Sequence, residues 1–228
     1  MTAGPVWAVV VAAGAGRRLG GERPKAFAKL GGRPLLAYAV ELLEDHPAVE
    51  RIVLVVPEGW EEPATLLADE LVAGKVAAAV AGGDARALSV AAGLAEVRGD
   101  AAVIAVHDAA RPFASAALLD RVLAGLAEAD GAVPGVPLTD TVKRVRGGRV
   151  EETLERADLC AVQTPQAFRA DALRRAYDRP AGELASATDC AQLVERAGGR
   201  VAVVPGDPAN MKITDAADLH RAEELVGG

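Results

Sequence analysis

The sequence has few cysteines and no long hydrophobic run, and we expect no secretory leader. Its two cysteines, Cys160 and Cys190, cannot form a disulfide framework and lack the spacing of a metal site. The longest apolar run, from Val6 to Ala13, is far shorter than the roughly 20 residues that span a bilayer. No positively charged segment precedes an apolar segment with a cleavage site. We therefore expect a cytoplasmic protein without a membrane span or a signal peptide.

The sequence also lacks a concentration of basic residues. Its formal net charge is −7, and its lysines and arginines are scattered along 228 residues. Non-specific nucleic-acid binding neutralises many phosphates at once, so we expect no nucleic-acid partner. Basic residues should instead act singly, at a defined site. With 51% hydrophobic and 25% charged residues, the composition is that of a globular protein long enough to bury about 70% of its unfolded surface.

Short apolar runs alternate with helix-length segments along the chain. The predicted strands are Val6–Ala12, Arg51–Val56, Val76–Val80, Ala101–Val106, Gly131–Val136 and Arg200–Val204. The predicted helices are Leu35–Glu44, Trp60–Leu71, Ala87–Val97, Ala116–Glu128, Ala170–Tyr177, Thr188–Ala197 and Thr214–Val226. The strands are continuously apolar, which is typical of parallel strands buried on both faces. This order predicts an α/β fold, a three-layer α/β/α sandwich with a mostly parallel, Rossmann-like sheet.

One segment departs from this alternation. Residues 141–145 and 149–154 alternate apolar and polar side chains on either side of Gly147 and Gly148, which predicts a β-hairpin. The hairpin is either a simple excursion from the sheet or an arm that grips a partner, and its pattern favours neither. We expect one domain over residues 1–228, with a β-arm at about 138–156.

A glycine-rich loop follows the first predicted strand. The dinucleotide motif G-x-G-x-x-G fits Gly14 and Gly16 but fails at Leu19, and no Gly-Lys-Ser/Thr closes a Walker A loop. The loop carries Arg17 and Arg18, and Lys25 follows it after Pro24. Glycines allow backbone N–H groups to approach an anion, and the cations offset its charge. The loop is therefore a candidate polyphosphate site, or else a solvated basic turn.

Further motifs follow in order along almost the whole chain. They are Gly82–Val90, His107–Pro112, Asp140–Lys143, Thr164–Phe168, Thr188–Asp189 and Asn210–Thr214. With the loop at 12–19 and Pro24–Lys25, this series resembles the motifs of sugar-phosphate nucleotidyltransferases, and among them the 2-C-methyl-D-erythritol 4-phosphate cytidylyltransferase family. The sequence departs from the family at Cys160, where Trp is common, and at Cys190, where Glu is usual.

The resemblance implies a CTP-dependent cytidylyltransferase of non-mevalonate isoprenoid biosynthesis. It joins 2-C-methyl-D-erythritol 4-phosphate to the α-phosphorus of CTP, giving 4-diphosphocytidyl-2-C-methyl-D-erythritol and releasing pyrophosphate. The second pKa of a phosphate monoester is about 6, so the nucleophile needs no general base at neutral pH. This agrees with a sequence that has no obvious Ser-His-Asp or Cys-His set. The alternatives are a ribitol 5-phosphate cytidylyltransferase and a noncatalytic nucleotide-binding regulator.

The resemblance also assigns roles to individual residues. The implied catalytic residues are Arg18, Lys25, Arg156 and Lys212; the nucleotide-binding residues are Ala12, Ala13, Gly14, Gly82, Asp84 and Ser89; and the substrate-binding residues are Asp108, Arg111, Thr141, Arg156 and Thr164. The implied cofactor is Mg²⁺, with Asp108 as a candidate ligand. The implied partner is a second copy of the chain, whose arm closes the pocket. We expect His107, beside Asp108, to be structural.

Overall fold

The computed structural model describes residues 4–14, 16 and 23–227. The strands in this part are β1 (Val6–Val11), β2 (Lys29–Leu30), β3 (Arg33–Pro34), β4 (Val49–Val56), β5 (Val76–Ala81), β6 (Val103–Asp108), β7 (Gly131–Pro137), β8 (Lys143–Arg146), β9 (Arg149–Thr153), β10 (Cys160–Val162), β11 (Gln166–Arg169) and β12 (Val201–Pro205). The helices are α1 (Leu35–Asp45), α2 (Glu61–Glu70), α3 (Arg86–Glu96), α4 (Ala116–Ala124), α5 (Ala170–Tyr177), α6 (Ala181–Ala185), α7 (Cys190–Arg196) and α8 (Ala216–Gly227). In the described ranges no helix combines the length and the apolar character that a membrane span requires.

The central sheet confirms the predicted fold class. Among the described residues it has eight strands in the order β10-β7-β11-β6-β1-β4-β5, with β12 paired to β7. Strands β6, β1, β4 and β5 are parallel neighbours, and β12 is parallel to β7. All six predicted strands are present. Because β11 is antiparallel to both β6 and β7, those two strands run in the same direction.

Helices cover both faces of the sheet, as the continuous apolar strands predict. In β1, Val6, Ala8 and Val10 pack with α1, α2 and α4, whereas Trp7 and Val9 pack with α3, α5 and α7. Successive side chains of a strand point to opposite faces. A strand buried on both faces therefore needs apolar residues at every position, and all five of these residues are buried.

The elements that the sequence pattern did not predict are short: strands β2, β3, β10 and β11 and helix α6. Strands β10 and β11 have three and four residues, and both are antiparallel to their neighbours. Runs this short carry no clear periodicity, and β11 begins with Gln166, a buried polar residue. Helix α7 was predicted but begins at Cys190, two residues later than expected, because Asp189 caps it by accepting a hydrogen bond from the Gln192 amide at 2.9 Å.

The predicted hairpin is formed by β8 and β9, which pair only with each other in the described sheets. Gly147 and Gly148 both have positive φ, 55° and 77°, as a two-residue hairpin turn requires. Val145 lies opposite Val150, and these apolar side chains are 57% and 60% exposed. The hairpin therefore presents an apolar cross-strand pair to its surroundings.

The strand order determines where a ligand can bind. Strands β4 and β5 lie on one side of β1, whereas β6 lies on the other, so the chain changes direction across the sheet at β1 and β6. In open α/β sheets a ligand binds in the crevice at such a switch point, beyond the carboxyl ends of the strands. The segments after β1, β5 and β6 meet at this edge.

Candidate active site

A cavity of about 640 Å³ lies at this edge of the sheet. It is bordered by the segments that follow β1, β5 and β6 and by the segment that precedes α8. Its lining among the described residues is Val11, Ala12, Ala13, Gly14, Gly16, Lys25, Ala26, Gly83, Asp84, Ala85, Arg86, Ser89, Asp108, Ala109, Ala110, Lys212 and Thr214. The cavity thus brings together residues from four distant parts of the chain.

The Asp108 carboxylate is the centre of the charged part of this cavity. Asp108 ends β6 and lies next to Val11 of β1 in the sheet register. Its Oδ1 accepts a hydrogen bond from the Arg86 Nε at 3.0 Å and pairs with the Arg86 Nη2 at 2.9 Å. Its Oδ2 accepts a hydrogen bond from the Lys212 Nζ at 2.7 Å. Each oxygen of the carboxylate therefore has a cationic partner.

The two cations determine the charge state of Asp108. Burial opposes ionisation of its carboxyl group, but the positive charges of Arg86 and Lys212 outweigh burial and hold the pKa of Asp108 well below its usual range. Burial also lowers the pKa of Arg86, but the interactions of the guanidinium with its neighbours, first of all Asp108, together outweigh burial, so it stays charged. The cavity wall consequently contains a carboxylate that is paired with two cations at neutral pH.

Thr164 and His107 support Asp108 from behind. The Thr164 Oγ1 accepts a hydrogen bond from the Asp108 amide at 3.0 Å and lies 3.1 Å from the His107 Nδ1. Burial lowers the pKa of His107 to about 4, so its ring is neutral at physiological pH. Both side chains are buried, which agrees with the structural role expected for His107. Thr164, expected to bind substrate, lies outside the cavity lining, where its hydroxyl supports the Asp108 backbone.

Arg111 holds the segment that carries Lys212. Its Nη1 donates to the Asn210 carbonyl at 2.7 Å, and its Nη2 donates to the Val162 carbonyl at 3.3 Å. Arg111 was expected to bind substrate, but it is not part of the cavity lining. In this structure it fixes the backbone that leads into Lys212.

The residues expected to bind the nucleotide lie mainly in the cavity wall. Ala12, Ala13 and Gly14 line it, as do Asp84 and Ser89. The Ser89 hydroxyl lies 3.2 Å from both the Gly83 amide and the Gly83 carbonyl. Ser89 therefore stabilises the turn before α3 as well as facing the cavity.

The two glycines of that turn, Gly82 and Gly83, have different surroundings. Gly83 lines the cavity, whereas Gly82, the predicted contact, does not. A Cβ atom on Gly82 would lie 2.4 Å from the Ala13 Cβ and 2.7 Å from the Ser89 Oγ. Glycine at 82 therefore allows the turn to pack against the loop after β1, whereas Gly83 forms part of the cavity surface.

Lys25 is the catalytic candidate near the glycine-rich loop that the structure describes. It lines the cavity together with Gly16. Gly16 has a φ of 63°, and a Cβ atom there would lie 2.7 Å from the Lys25 Cβ. Glycine at 16 thus permits both the left-handed backbone and the close approach to Lys25. Arg18, the other catalytic candidate of this segment, lies outside the described residues.

Thr141 and Arg156 lie at the two ends of the hairpin and do not line the cavity. Both are exposed, and the Arg156 guanidinium donates a hydrogen bond to the Thr139 carbonyl. The chain by itself therefore does not bring these two candidates to the wall that carries Lys25 and Lys212.

Arg86 is a candidate functional residue to which the sequence motifs assigned no role. It is the first residue of α3, where the helix dipole disfavours a cation. A cation at the start of a predicted helix is the signal that the sequence offers for this residue. The sequence does not reveal the partner of Arg86, because Asp108 is 22 residues away and contacts Arg86 only in the folded chain.

The described residues contain no group of three or more His, Cys, Asp or Glu side chains that could hold a metal ion. Asp108 offers a single carboxylate, and both of its oxygens already accept hydrogen bonds from cations. A magnesium ion in proteins commonly takes one or two carboxylates and completes its shell with phosphate oxygens and water. The cavity fits such an ion only when phosphate oxygens provide most of its ligands.

Comparison with known proteins gives consistent matches over nearly the full length. The family model described as IspD, 2-C-methyl-D-erythritol 4-phosphate cytidylyltransferase, matches residues 6–227. A protein of that name from Rhodococcus jostii (strain RHA1) is 49% identical over 226 residues, which cover 98% of this chain and 96% of the relative.

Solved structures agree with these sequence matches. The 4-diphosphocytidyl-2C-methyl-D-erythritol synthase from Anaerococcus prevotii superimposes with a TM-score of 0.85 at 27% identity and covers 99% of both chains. The 2-C-methyl-D-erythritol 4-phosphate cytidylyltransferase from Thermus thermophilus superimposes with a TM-score of 0.79 at 33% identity, covering 96% of this chain and 98% of the other.

Proposed function

The chain belongs to the 2-C-methyl-D-erythritol 4-phosphate cytidylyltransferase family, and from this premise we propose that the cavity at the edge of the sheet is its active site. The protein is a nucleotidyltransferase of isoprenoid biosynthesis. Its reaction joins the phosphate of 2-C-methyl-D-erythritol 4-phosphate to the cytidylyl group of CTP and releases pyrophosphate. The observation that carries the assignment is the convergence of Lys25, Lys212 and Asp108 on one cavity at the switch point of the sheet.

The chemistry of this reaction suits the side chains of the cavity. A phosphate monoester is mostly dianionic at neutral pH, so attack on the α-phosphorus needs no protein base. The main obstacle is to bring two anions together and to stabilise the charge that develops on the phosphoryl oxygens. Lys25 and Lys212 provide fixed positive charges for this purpose, and we assign Arg18 to the same group.

Magnesium is the cofactor that we propose. When bound with the triphosphate, it would screen the phosphate charges and orient the α-phosphate. A direct bond from Asp108 to the ion would use the remaining lone pair of Oδ2, because Oδ1 contacts two nitrogens of Arg86 and Oδ2 accepts one bond from Lys212. The residues that bind and orient the triphosphate are therefore the lysines and the backbone of 12–14, whatever the position of the ion.

We assign the cytosine to the part of the cavity formed by Ala12–Gly14, Gly83 and Asp84. Backbone groups and the Asp84 carboxylate can pair with the polar edge of a pyrimidine, and glycine leaves space for its ring. Gly82 and Ser89 hold this wall in place through the contacts of their turn. Because the backbone and side chains of this wall pack closely against each other, we expect it to accept a pyrimidine better than the larger purine.

The second substrate should be held by both subunits of a homodimer. Thr141 and Arg156 do not line the cavity of their own chain, and the exposed Val145–Val150 pair gives the hairpin an apolar surface for a partner. A guanidinium matches a phosphate bidentately, which makes Arg156 the natural group for the substrate phosphate. Thr141 would add a hydroxyl hydrogen bond.

We propose the cytoplasm as the compartment and one catalytic domain over residues 1–228. The support for the compartment is Cys160, a free and exposed thiol, since such thiols persist where the surroundings are reducing.

A pyrophosphate-release assay tests the proposed function. With CTP we expect rapid release in the presence of 2-C-methyl-D-erythritol 4-phosphate and slow release with ribitol 5-phosphate or glycerol phosphate. With ATP or GTP in place of CTP we expect little turnover. Faster turnover of ribitol 5-phosphate would favour the alternative cytidylyltransferase, and CTP binding without turnover of any polyol phosphate would indicate a noncatalytic protein.

A further inference from the structure

Arg86 lies between the cavity and the interior of the protein. Its Nε and Nη2 contact the Asp108 Oδ1 at 3.0 and 2.9 Å. On its other side, its Nη1 lies 3.6 Å from the Cys190 Sγ, and the Tyr177 hydroxyl lies 3.2 Å from that same sulfur. A continuous set of polar contacts thus runs from α5 through Arg86 to the cavity wall.

We propose that Arg86 is a positioning residue that fixes the Asp108 carboxylate and thereby sets the location of the Lys212 ammonium group. This inference rests on the proposed function, because it concerns the group that we place beside the α-phosphate.

The bond pattern around Asp108 supports the proposal. Arg86 contacts Oδ1 with two nitrogens, which restrains the position of that oxygen. Oδ2 is then left for Lys212, whose Nζ lies 2.7 Å away. The lysine ammonium is a compact charge on a flexible side chain. Its position therefore depends on a fixed acceptor more than the position of an arginine guanidinium does.

The position of Arg86 in the fold also indicates a specific role. An arginine at the first residue of α3 faces an unfavourable helix dipole, and most of its side chain is removed from solvent. Its charge is compensated by Asp108. Cys190 supports the guanidinium from the other side, and burial raises the pKa of the Cys190 thiol, so it acts as a neutral contact.

Two substitutions at Arg86 provide the first test. Arg86→Gln removes the charge, and Arg86→Lys keeps the charge but loses the two-nitrogen contact. Because small displacements of a reacting group cost about 100-fold in rate, we expect kcat to fall by roughly that factor in Arg86→Gln. Arg86→Lys should recover only part of this loss. Arg175→Gln, which removes an exposed arginine paired with Asp171 at 2.7 Å, serves as the matched control and should keep wild-type kcat.

A double-mutant cycle then separates action through Asp108 from direct contact with substrate. If Arg86 acts through Asp108, adding Arg86→Gln to Asp108→Asn should cost less than about threefold, although Arg86→Gln alone costs about 100-fold. The cycle should be measured on kcat and independently on the dissociation constant for CTP, which needs no turnover. Circular dichroism identifies any variant that is unfolded, in which case the cycle uses Arg86→Lys.

Three results would overturn the proposal while leaving the proposed function intact. They are wild-type kcat in Arg86→Gln, full recovery in Arg86→Lys, and equal costs of Arg86→Gln with and without Asp108→Asn. An inactive wild-type protein in the same assay would instead contradict the proposed function. The two failures are therefore distinguishable.

Discussion

Lys212 already has an anionic partner in this structure, the Asp108 carboxylate. An ammonium group has three N–H donors, so Lys212 can bind the α-phosphate as proposed while it keeps its bond to Asp108. Lys212 is thus already paired when the phosphate arrives, so the cavity does not hold its ammonium group as an uncompensated charge. At the residue scale, Asp108 and Arg86 therefore prepare the cavity for a polyanion.

The first residue-scale prediction concerns Lys25. Lys25→Ala should lower kcat by about 100- to 1,000-fold, the usual cost of removing one group that stabilises transition-state charge. The midpoint of urea unfolding should change little, since the lysine is partly exposed in the cavity wall. Pyrophosphate release measures the rate. Lys29→Ala, four residues further along and exposed, is the control and should keep wild-type activity. Near wild-type kcat in Lys25→Ala would contradict its catalytic assignment.

The second concerns the buried His107. Burial lowers its folded pKa to about 4, whereas a histidine in the unfolded chain titrates near 6.5. Between these values the unfolded chain binds the extra proton, so the stability that His107 contributes is complete above about pH 6.5 and falls as the pH approaches 4. We expect this residue to cost the wild type about 2 kcal/mol between about pH 7.5 and pH 5.

Urea unfolding at several pH values checks this prediction. His107→Asn should be less stable than the wild type near neutral pH but should lose less free energy of unfolding on acidification. His220→Asn is the matched control, because it makes the same replacement on the exposed side of α8 and should leave the free energy of unfolding near neutral pH unchanged. Parallel pH profiles for wild type and His107→Asn would show that His107 is not kept neutral by burial.

At the element scale, the hairpin differs from the strands at the centre of the main sheet. Its residues are exposed on both faces, whereas strands such as β1 and β6 are almost wholly buried. A two-stranded hairpin is marginally stable in water, so burial against a second chain would explain why β8 and β9 stay paired. Its tip is positioned by Gly147 and Gly148, which allow a tight turn.

Substitution of the exposed valine pair tests this role of the hairpin. We expect Val145→Asp combined with Val150→Asp to convert a dimer into monomers in sedimentation velocity, because two carboxylates would replace the apolar contact. Leu66→Asp is the matched control: Leu66 is 54% exposed on α2, comparable with Val145, and its replacement should leave the dimer intact. A monomeric wild type, or a dimer that survives the double substitution, would contradict the arm hypothesis.

At the scale of the whole molecule, the proposed active site is divided between two chains. Arg156 of one subunit would serve the cavity that contains Lys25 of the other. Co-expression of an Arg156→Ala chain with a Lys25→Ala chain should then place both lesions in one site of the mixed dimer and leave the other site intact. With random pairing, half the dimers have one working site, so we expect about a quarter of wild-type activity.

A second co-expression provides the negative control. Lys25 and Lys212 line the same cavity of one chain, so mixing Lys25→Ala with Lys212→Ala chains should restore no activity. Native mass spectrometry confirms that mixed dimers form in both experiments. Absence of recovery in the Arg156–Lys25 mixture, with mixed dimers present, would mean that each site is built from a single chain.

The sequence alone predicted the fold class and most of its elements because their information is local. Strands such as β1 are apolar at every position, and the glycine pair at the hairpin tip specifies its turn. The sequence also indicated the candidate anion site, since its motifs and their order resemble those of one family. It did not predict β10 and β11, which are too short for periodicity and are stabilised by pairing with β7 and β6.

The arrangement of charges in the cavity was decided by the tertiary structure. Asp108 meets Arg86 and Lys212 across separations of 22 and 104 residues, and only the strand order brings them together. For the same reason the motifs could not show that Thr164 and Arg111 support the backbone around Asp108 and Lys212. A motif specifies which side chains are available, whereas packing determines which partner each of them meets.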